Sequence, residues 1–259
     1  MLINGGIRVN IEQFSVLIEK LFGGLLKQFD NGEEFAFYNY GPDLIRRIGY
    51  ATNITPELIE QAAQKKVDLI VTHYDAWDFV FGMKEECHKL LASFGISHFF
   101  VHLPLDYAEF GTCTSLFKAL GINNVIQQSI DIEGRSLPGI GEFEFPISFQ
   151  ELSERVSTVL SENIKSWKNS EKPITRVGII TGAGNSTKSL RDAHYSECDV
   201  YITGEKILYT IQYAKFIKMN LIVGSHTFTE IFGVKSLSEK IKEKYDSLEI
   251  IELVEDHFE

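Results

Sequence analysis

The sequence predicts an α/β protein with layered, largely parallel sheets, and three observations carry that prediction. Short runs rich in Val, Ile, Leu, Phe and Tyr alternate along the chain with segments whose apolar residues recur at helical spacing. Several of these runs are apolar almost throughout, as in strands buried on both faces of a parallel sheet. A stretch that starts at Arg47 also recurs, in altered form, from Arg176.

In chain order, apolar spacing predicts helices over Ile11–Phe29, Pro56–Lys65, Met83–Phe94, Phe149–Ile164, Leu190–Ser196, Lys206–Phe216 and Ser236–Tyr245. Between them, strands are expected at Arg47–Ala51, Asp68–His73, His98–Leu103, Arg176–Thr181, Asp199–Thr203, Asn220–Gly224 and Leu248–Val254. Ser136–Pro146, with Pro138 and Pro146, and Ser166–Pro173 read as loops or edges around a central connection. The chain is expected to divide into a first α/β domain over residues 1–128 and a second over 129–259.

The 259 residues suffice for one large or two modest domains, and 36 acidic against 25 basic residues give a net charge of −11. Such a field disfavours nucleic acid and anionic membranes as partners. Cys87, Cys113 and Cys198 show neither CxxC nor CxxH spacing, so no disulfide framework or zinc ribbon is legible and a reducing cytoplasm is expected. The first residues, MLINGGIRVN, lack the pattern of a secretory signal, and no apolar run reaches the roughly 18 residues of a membrane span.

The recurrence is specific. RIGYATNITPELIEQAAQKKVDLIVTH and RVGIITGAGNSTKSLRDAHYSECDVYITG both open on Arg, a β-branched residue, Gly and an apolar run ending in Thr, and both close on Asp, an apolar run and Thr. Further along, each copy has an apolar strand that ends in His, three residues and an acid: His102 with Asp106, and His226 with Glu230. The matched endings favour a duplicated, pseudo-twofold chain over the alternative that any two βαβ units look alike.

Chemistry enters at the strand ends, where α/β sheets present side chains from a rigid platform. His73, His102 and His226 all fall there. With Asp106 and Glu230 they form an N/O donor set suited to Zn, Mn, Fe or Co, one or two ions per chain, and a carboxylate can bridge two ions. An imidazole and an acid four residues apart share an ion only if the segment turns back, and Pro104 favours a loop for the first pair. His88, His98, His194 and His257 read as structural or surface residues, and Asp75 and Asp78 as solvated charges or partners of the ligands. The turn Thr181-Gly-Ala-Gly-Asn185 is able to hold an anion before a helix. Glu205 reads equally as a group near the metals or as an ordinary acid at a helix start.

These segments, VDLIVTHYDAW, HLPLDYAEFG, the TGAG turn, DVYITGE and GSHTFTE, resemble in order and spacing the Nif three-like dinuclear-metal-centre proteins, many of which carry the name GTP cyclohydrolase I type 2. The resemblance runs from about Tyr40 to Val254. It implies two intertwined α/β domains, with about residues 220–259 returning to the metal site, and a cytoplasmic homohexamer. It also implies that His102 and Asp106 bind metal, Asp106 as a bridge, and that His226 and Glu230 complete the site. Family members carry two adjacent His in the first motif, where this chain has Thr72-His73. Ser225 stands where the family has Gly. The function implied is a metal-dependent hydrolase acting on a nucleotide or other phosphoester through activated water, with Glu230 or Glu205 handling the proton. A noncatalytic metal-binding or partner-binding oligomer is the alternative.

Overall fold

The structure, a computed structural model, describes residues 9–131 and 136–256, so His257 lies outside the described residues. Its chain packs as two compact units, the first made of the described residues through Ala108 with Val234–Asp256, the second of Glu109–Gly233.

In the first unit, β1 (Val9–Asn10) leads into α1 (Ile11–Phe22), which a capping box starts: Asn10 Oδ1 accepts from Gln13 N, and Gln13 Oε1 from Asn10 N. There follow β2 (Phe35–Tyr38), β3 (Leu44–Ile45), β4 (Arg47–Ala51), α2 (Pro56–Gln64), β5 (Leu69–Thr72), α3 (Met83–Phe94), β6 (Ser97–Val101) and the single turn α4 (Leu103–Asp106). Phe14 of α1 packs on Phe37 and Phe99, while Leu58, Ile59, Cys87 and Leu91 of α2 and α3 bury with Ile70 of β5. Every residue of β5 and β6 is buried, as expected of strands with a layer on each side.

The second unit contains α5 (Thr112–Ala119), β7 (Asn124–Gln127), β8 (Ile130–Asp131), β9 (Ser136–Leu137), β10 (Gly139–Ile147), α6 (Phe149–Leu160), β11 (Lys165–Trp167), β12 (Ile174–Ile180), α7 (Thr187–Tyr195), β13 (Val200–Thr203), α8 (Leu208–Phe216) and β14 (Asn220–Val223). Its sheet runs β11-β14-β13-β12-β10-β7. One apolar cluster joins it to α5 and α6, and another joins it to α7 and α8. Helix α9 (His226–Lys244) carries the chain on to β15 (Glu249–Glu252), which completes the first unit's sheet, in the order β15-β4-β5-β6-β2.

The duplication is visible in hydrogen bonds as well as in strands. β4 and β5 pair in parallel, as do β12 and β13. Asp68 Oδ2 accepts from the N–H groups of Arg46 and Arg47, and Asp199 Oδ2 accepts from those of Thr175 and Arg176. The same acid thus ties the start of one strand to its neighbour in each copy. Before β5, β13 and β14 the chain leaves a helix through Lys66, Glu197 and Lys218, with φ of 56°, 60° and 56°. That left-handed cap favours glycine. Replacing each of the three by Gly is expected to raise stability by about 0.5–1 kcal/mol, read from the urea midpoint; a loss at all three would place the strain elsewhere.

Several expectations change. Ser136–Pro146 is no loop: it contains β9 and most of β10, and β10 lies inside the sheet, antiparallel to β12 and β7. Pro146 is accommodated because β7 pairs only as far as Glu142 and the register with β12 shifts between Glu142 and Ile147. The second sheet is therefore mixed, whereas the first is parallel except for β2. The first unit ends at Ala108 and not near 128, because β7 pairs with β10 and α5 buries its side chains in the second unit's core. Helix α9 starts ten residues before Ser236, with Ser225 Oγ accepting from Phe228 N at its first turn. Ser225 thus replaces glycine as a helix cap. Among the described residues no helix is long and apolar enough to cross a membrane.

Candidate metal centre

The sequence-predicted site residues follow the carboxyl ends of parallel strands. His73 follows β5, His102 follows β6, Glu205 follows β13, and His226 follows β14 through Gly224 and Ser225. In the first unit, the backbone turns directly after β6 into α4, where Leu105 N and Asp106 N both donate to His102 O. The loop expected from Pro104 is instead a helical turn, since proline in a first turn forfeits no hydrogen bond. That turn brings Asp106 back toward His102. Ligand atoms of His73, His102 and Asp106 lie within 4.8 Å of one another, and among the described residues these three form a group able to hold a metal ion.

The orientation of each ring is fixed by an acceptor at Nδ1. His73, fully buried, donates from Nδ1 to Val101 O at 3.0 Å, and its Nε2 lies 3.4 Å from Asp106 Oδ1. His102 directs Nδ1 to Glu34 Oε2 at 2.7 Å. Glu34 carries no sequence signal; the antiparallel register of β2 on β6, with Phe35 opposite Val101, places it there, and His102 N donates to Glu34 O. An imidazole whose Nδ1–H is held by a carbonyl or carboxylate presents Nε2 as the ligand atom and gains basicity, the usual arrangement around metal-bound histidine.

The second unit repeats this pattern. His226 and Glu230 sit one turn apart on α9, with His226 Nε2 3.3 Å from Glu230 Oε2. On the other side of the ring, Nδ1 lies 2.7 Å from Glu205 Oε1, and Glu205 Oε2 accepts from Asn185 Nδ2. Both oxygens of Glu205 are thereby engaged in holding His226 and Asn185, a positioning arrangement in place of the proton-handling one expected. Burial would lower the His226 pKa, but the carboxylates of Glu230 and Glu205, one at each nitrogen, outweigh it and raise the pKa to about 10. The two carboxylates favour a cation there, and a metal ion would bind His226 only in place of that proton.

Two glycine turns form the wall of this cluster. A Cβ on Gly182 would lie 2.0 Å from Glu230 Oε1, and one on Gly204 would lie 2.7 Å from His226 Cα. In the TGAG turn two backbone donors are used internally: Gly182 N bonds Thr229 Oγ1, and Gly184 N bonds Gly182 O. Its glycines serve close approach.

A family model described as Duf34/NIF3 (NGG1p interacting factor 3) matches residues 39–257. The chain belongs to the Duf34/NIF3 family. A relative from Yersinia pestis named GTP cyclohydrolase 1 type 2 homolog is 30% identical over 225 residues, covering 81% of this chain and 88% of the relative. Among solved structures, the protein ybgI, titled as of unknown function, superposes with a TM-score of 0.82 at 23% identity over 96% of this chain and 99% of its own. A Bacillus cereus protein related to NIF3 gives 0.78 at 15% identity over 97% and 98%. These likenesses support the α/β fold of the NIF3 chain described above.

One position of this NIF3 chain departs from the expected motif. Thr72, fully buried, donates from Oγ1 to Tyr74 O at 2.6 Å. Having spent its proton there, it accepts from His98 Nε2 at 2.7 Å. Burial lowers the His98 pKa to about 4, against an opposing pull from Asp75, so the ring is neutral. Asp75 is neither a solvated charge nor a partner of the three ligands. It accepts from Tyr38 Oη at 2.9 Å and pairs with Lys84 at 3.1 Å.

Proposed function

We propose that this NIF3 chain is a metal-dependent hydrolase of nucleotides or related phosphoesters, holding Zn, Mn, Fe or Co through His73, His102 and Asp106, with His226 and Glu230 as a second ligand pair. The observation that carries the reading is the shared ring geometry: Val101 O, Glu34 and Glu205 each take the Nδ1 side of one histidine, and at His73 and His226 the Nε2 side faces a carboxylate. A divalent transition metal supplies Lewis acidity and lowers the pKa of water toward neutrality. The chain's own part is orientation. Glu34 and Glu205 fix ring planes and tautomers, α4 turns Asp106 toward His73 and His102, and Glu230, buried on α9, offers an oxygen able to hold and return a proton. The name of the Yersinia pestis relative is consistent with GTP as one substrate to test.

Protein purified without chelator is expected to carry one to two transition-metal ions per chain by elemental analysis. His102→Ala and Asp106→Ala should each lower that content and abolish turnover of GTP or of a phosphoester panel under Mn, Zn, Co and Fe. Metal content of zero at adequate supply would sink the reading. A noncatalytic metal-binding oligomer is the second reading, favoured by Thr72, which engages Tyr74 and His98 where relatives are expected to carry a further histidine. Metal bound without turnover of any substrate supports it. The homohexamer is proposed on the family resemblance and is checked by mass in solution.

A further inference from the structure

The segment after β15 forms a strap along the first unit's sheet. Leu253 N donates to Tyr50 O at 2.9 Å, and the buried Leu253 side chain lies over Gly49, where a Cβ would come within 2.8 Å of its Cδ1. Both backbone groups of Val254 pair with the side-chain amide of Gln61 on α2, and Lys65 Nζ donates to Glu252 O. This strap delivers Glu255 to the carboxyl end of β4, beside the turn into α2.

There the carboxylate takes several N–H donors at once. Glu255 Oε2 accepts from Thr52 N at 2.6 Å, and Oε1 accepts from Asn53 N and Asn53 Nδ2, each at 2.9 Å. The N–H of Asn53 belongs to the same peptide group as the carbonyl of Thr52. On its other side, that carbonyl accepts from His73 N and Tyr74 N, both at 3.0 Å. One peptide plane therefore stands between a carboxylate and the backbone of a candidate ligand. A charged acceptor at its N–H polarises the group, which strengthens the carbonyl as an acceptor and opposes any rotation that would turn it away from His73. His73 is then held from two sides, its backbone by Thr52 O and its ring by Val101 O.

We propose that Glu255 is a positioning residue for the metal centre: through the Thr52–Asn53 peptide it fixes the backbone of His73, and with it the direction of the His73 ring. The inference rests on the metal-site reading above and extends it to the segment after β15. The second copy of the duplicated stretch supports it. Counted from Arg47 and Arg176, Asn53 corresponds to Gly182, and Gly182 N donates to Thr229 Oγ1 on α9, the helix that carries His226 and Glu230. In both copies, the N–H that follows the strand's closing Thr is taken by a side chain from far along the chain.

The test uses the full chain, stripped of metal and titrated with zinc alone against a chromophoric chelator. Glu255→Ala should lower zinc affinity about tenfold, the low end for a group that orients a ligand histidine from behind. Glu255→Gln keeps the size but sets an N–H against the donors of Thr52 and Asn53, and should weaken binding as well. Acetate is the fragment that the alanine variant lacks. Compared with the parent chain in the same salt, it should restore zinc affinity to Glu255→Ala; acetamide should not, and neither should restore Glu255→Gln, where the space is filled. In the metal-free chain, Glu255→Ala should speed hydrogen exchange at His73 N and Tyr74 N and leave the amides of β6 unchanged. Equal zinc affinity in the parent and both variants, or no rescue by acetate, would overturn the proposal. So would faster exchange spread evenly over the first unit, the mark of general loosening. A parent chain that binds no zinc would instead remove the metal-site reading, and exchange at His73 in the metal-free chain would still decide whether Glu255 holds it.

Discussion

Replacing Gly182 by alanine is expected to lower stability by about 2–4 kcal/mol and to remove metal binding through His226 and Glu230, with no change in the ligands themselves. Two effects combine. Gly182 has φ of 60°, a left-handed conformation that costs an alanine roughly 1 kcal/mol. The added methyl would also stand 2.0 Å from Glu230 Oε1, 2.8 Å from its Cδ and 2.9 Å from His226 Nε2. Glu230 is buried and faces His226, so no solvated rotamer relieves the clash without breaking the pair. A double-mutant cycle separates the effects. In a Glu230→Ala background the space opens, and Gly182→Ala should cost only the backbone share, roughly 1 kcal/mol. An equal cost in both backgrounds would show that close approach to Glu230 is not the cause. The readouts are urea unfolding and metal content by elemental analysis.

That glycine also shows where sequence reading stopped. The parallel strands were legible almost to the residue, because strands buried on both faces appear as unbroken apolar runs between helical segments: Arg47–Ala51 is β4 and Asn220–Gly224 exceeds β14 by one residue. β10 was illegible because Pro138 just before it and Pro146 within it signal a break, and only its neighbours' registers show that Pro146 lies beyond the pairing with β7. Helix α5 was missed for a different reason. Thr112, Cys113, Thr114 and Ser115 are all buried, so half its core face is polar in composition and gives no apolar period.

The site divides the same way. His73, His102 and His226 were legible because each closes a strand, and Asp106 and Glu230 because each follows its histidine by four residues. The groups behind the rings were not. Glu34 reaches His102 through the pairing of β2 with β6, and Asn185 reaches Glu205 across a separation of twenty residues. Such partners depend on register, which a linear pattern does not encode. Thr72 appeared as a lost ligand. In the structure it is a gained contact, since its hydroxyl joins Tyr74 to His98.

That contact makes His98 an acid-sensitive element of the first unit, and acidification from pH 6.5 toward 4 is expected to cost the protein up to about 3 kcal/mol through this residue alone. The ring is buried among Thr72, Tyr38 and Phe100, with Asp75 Oδ1 4.0 Å from Nδ1; the nearby charge of His88 disfavours its protonation and that of Asp75 favours it. Burial dominates and lowers the pKa from 6.5 to about 4. Between those values the unfolded chain binds a proton at this site that the folded chain does not. Stability from this group is therefore complete above about pH 6.5 and falls as pH drops, with no further loss below about 4. Glutamine at this position can donate to Thr72 Oγ1 but does not titrate, so His98→Gln should flatten the acid limb. Measured by urea unfolding, the stability lost between pH 7 and pH 5 should be about 2 kcal/mol smaller in His98→Gln than in the parent. Comparing the two proteins at each pH cancels the titration of His226 and of every other group they share. Identical losses would mean that His98 is protonated in the folded chain, and that the Thr72 hydroxyl is held in some other way.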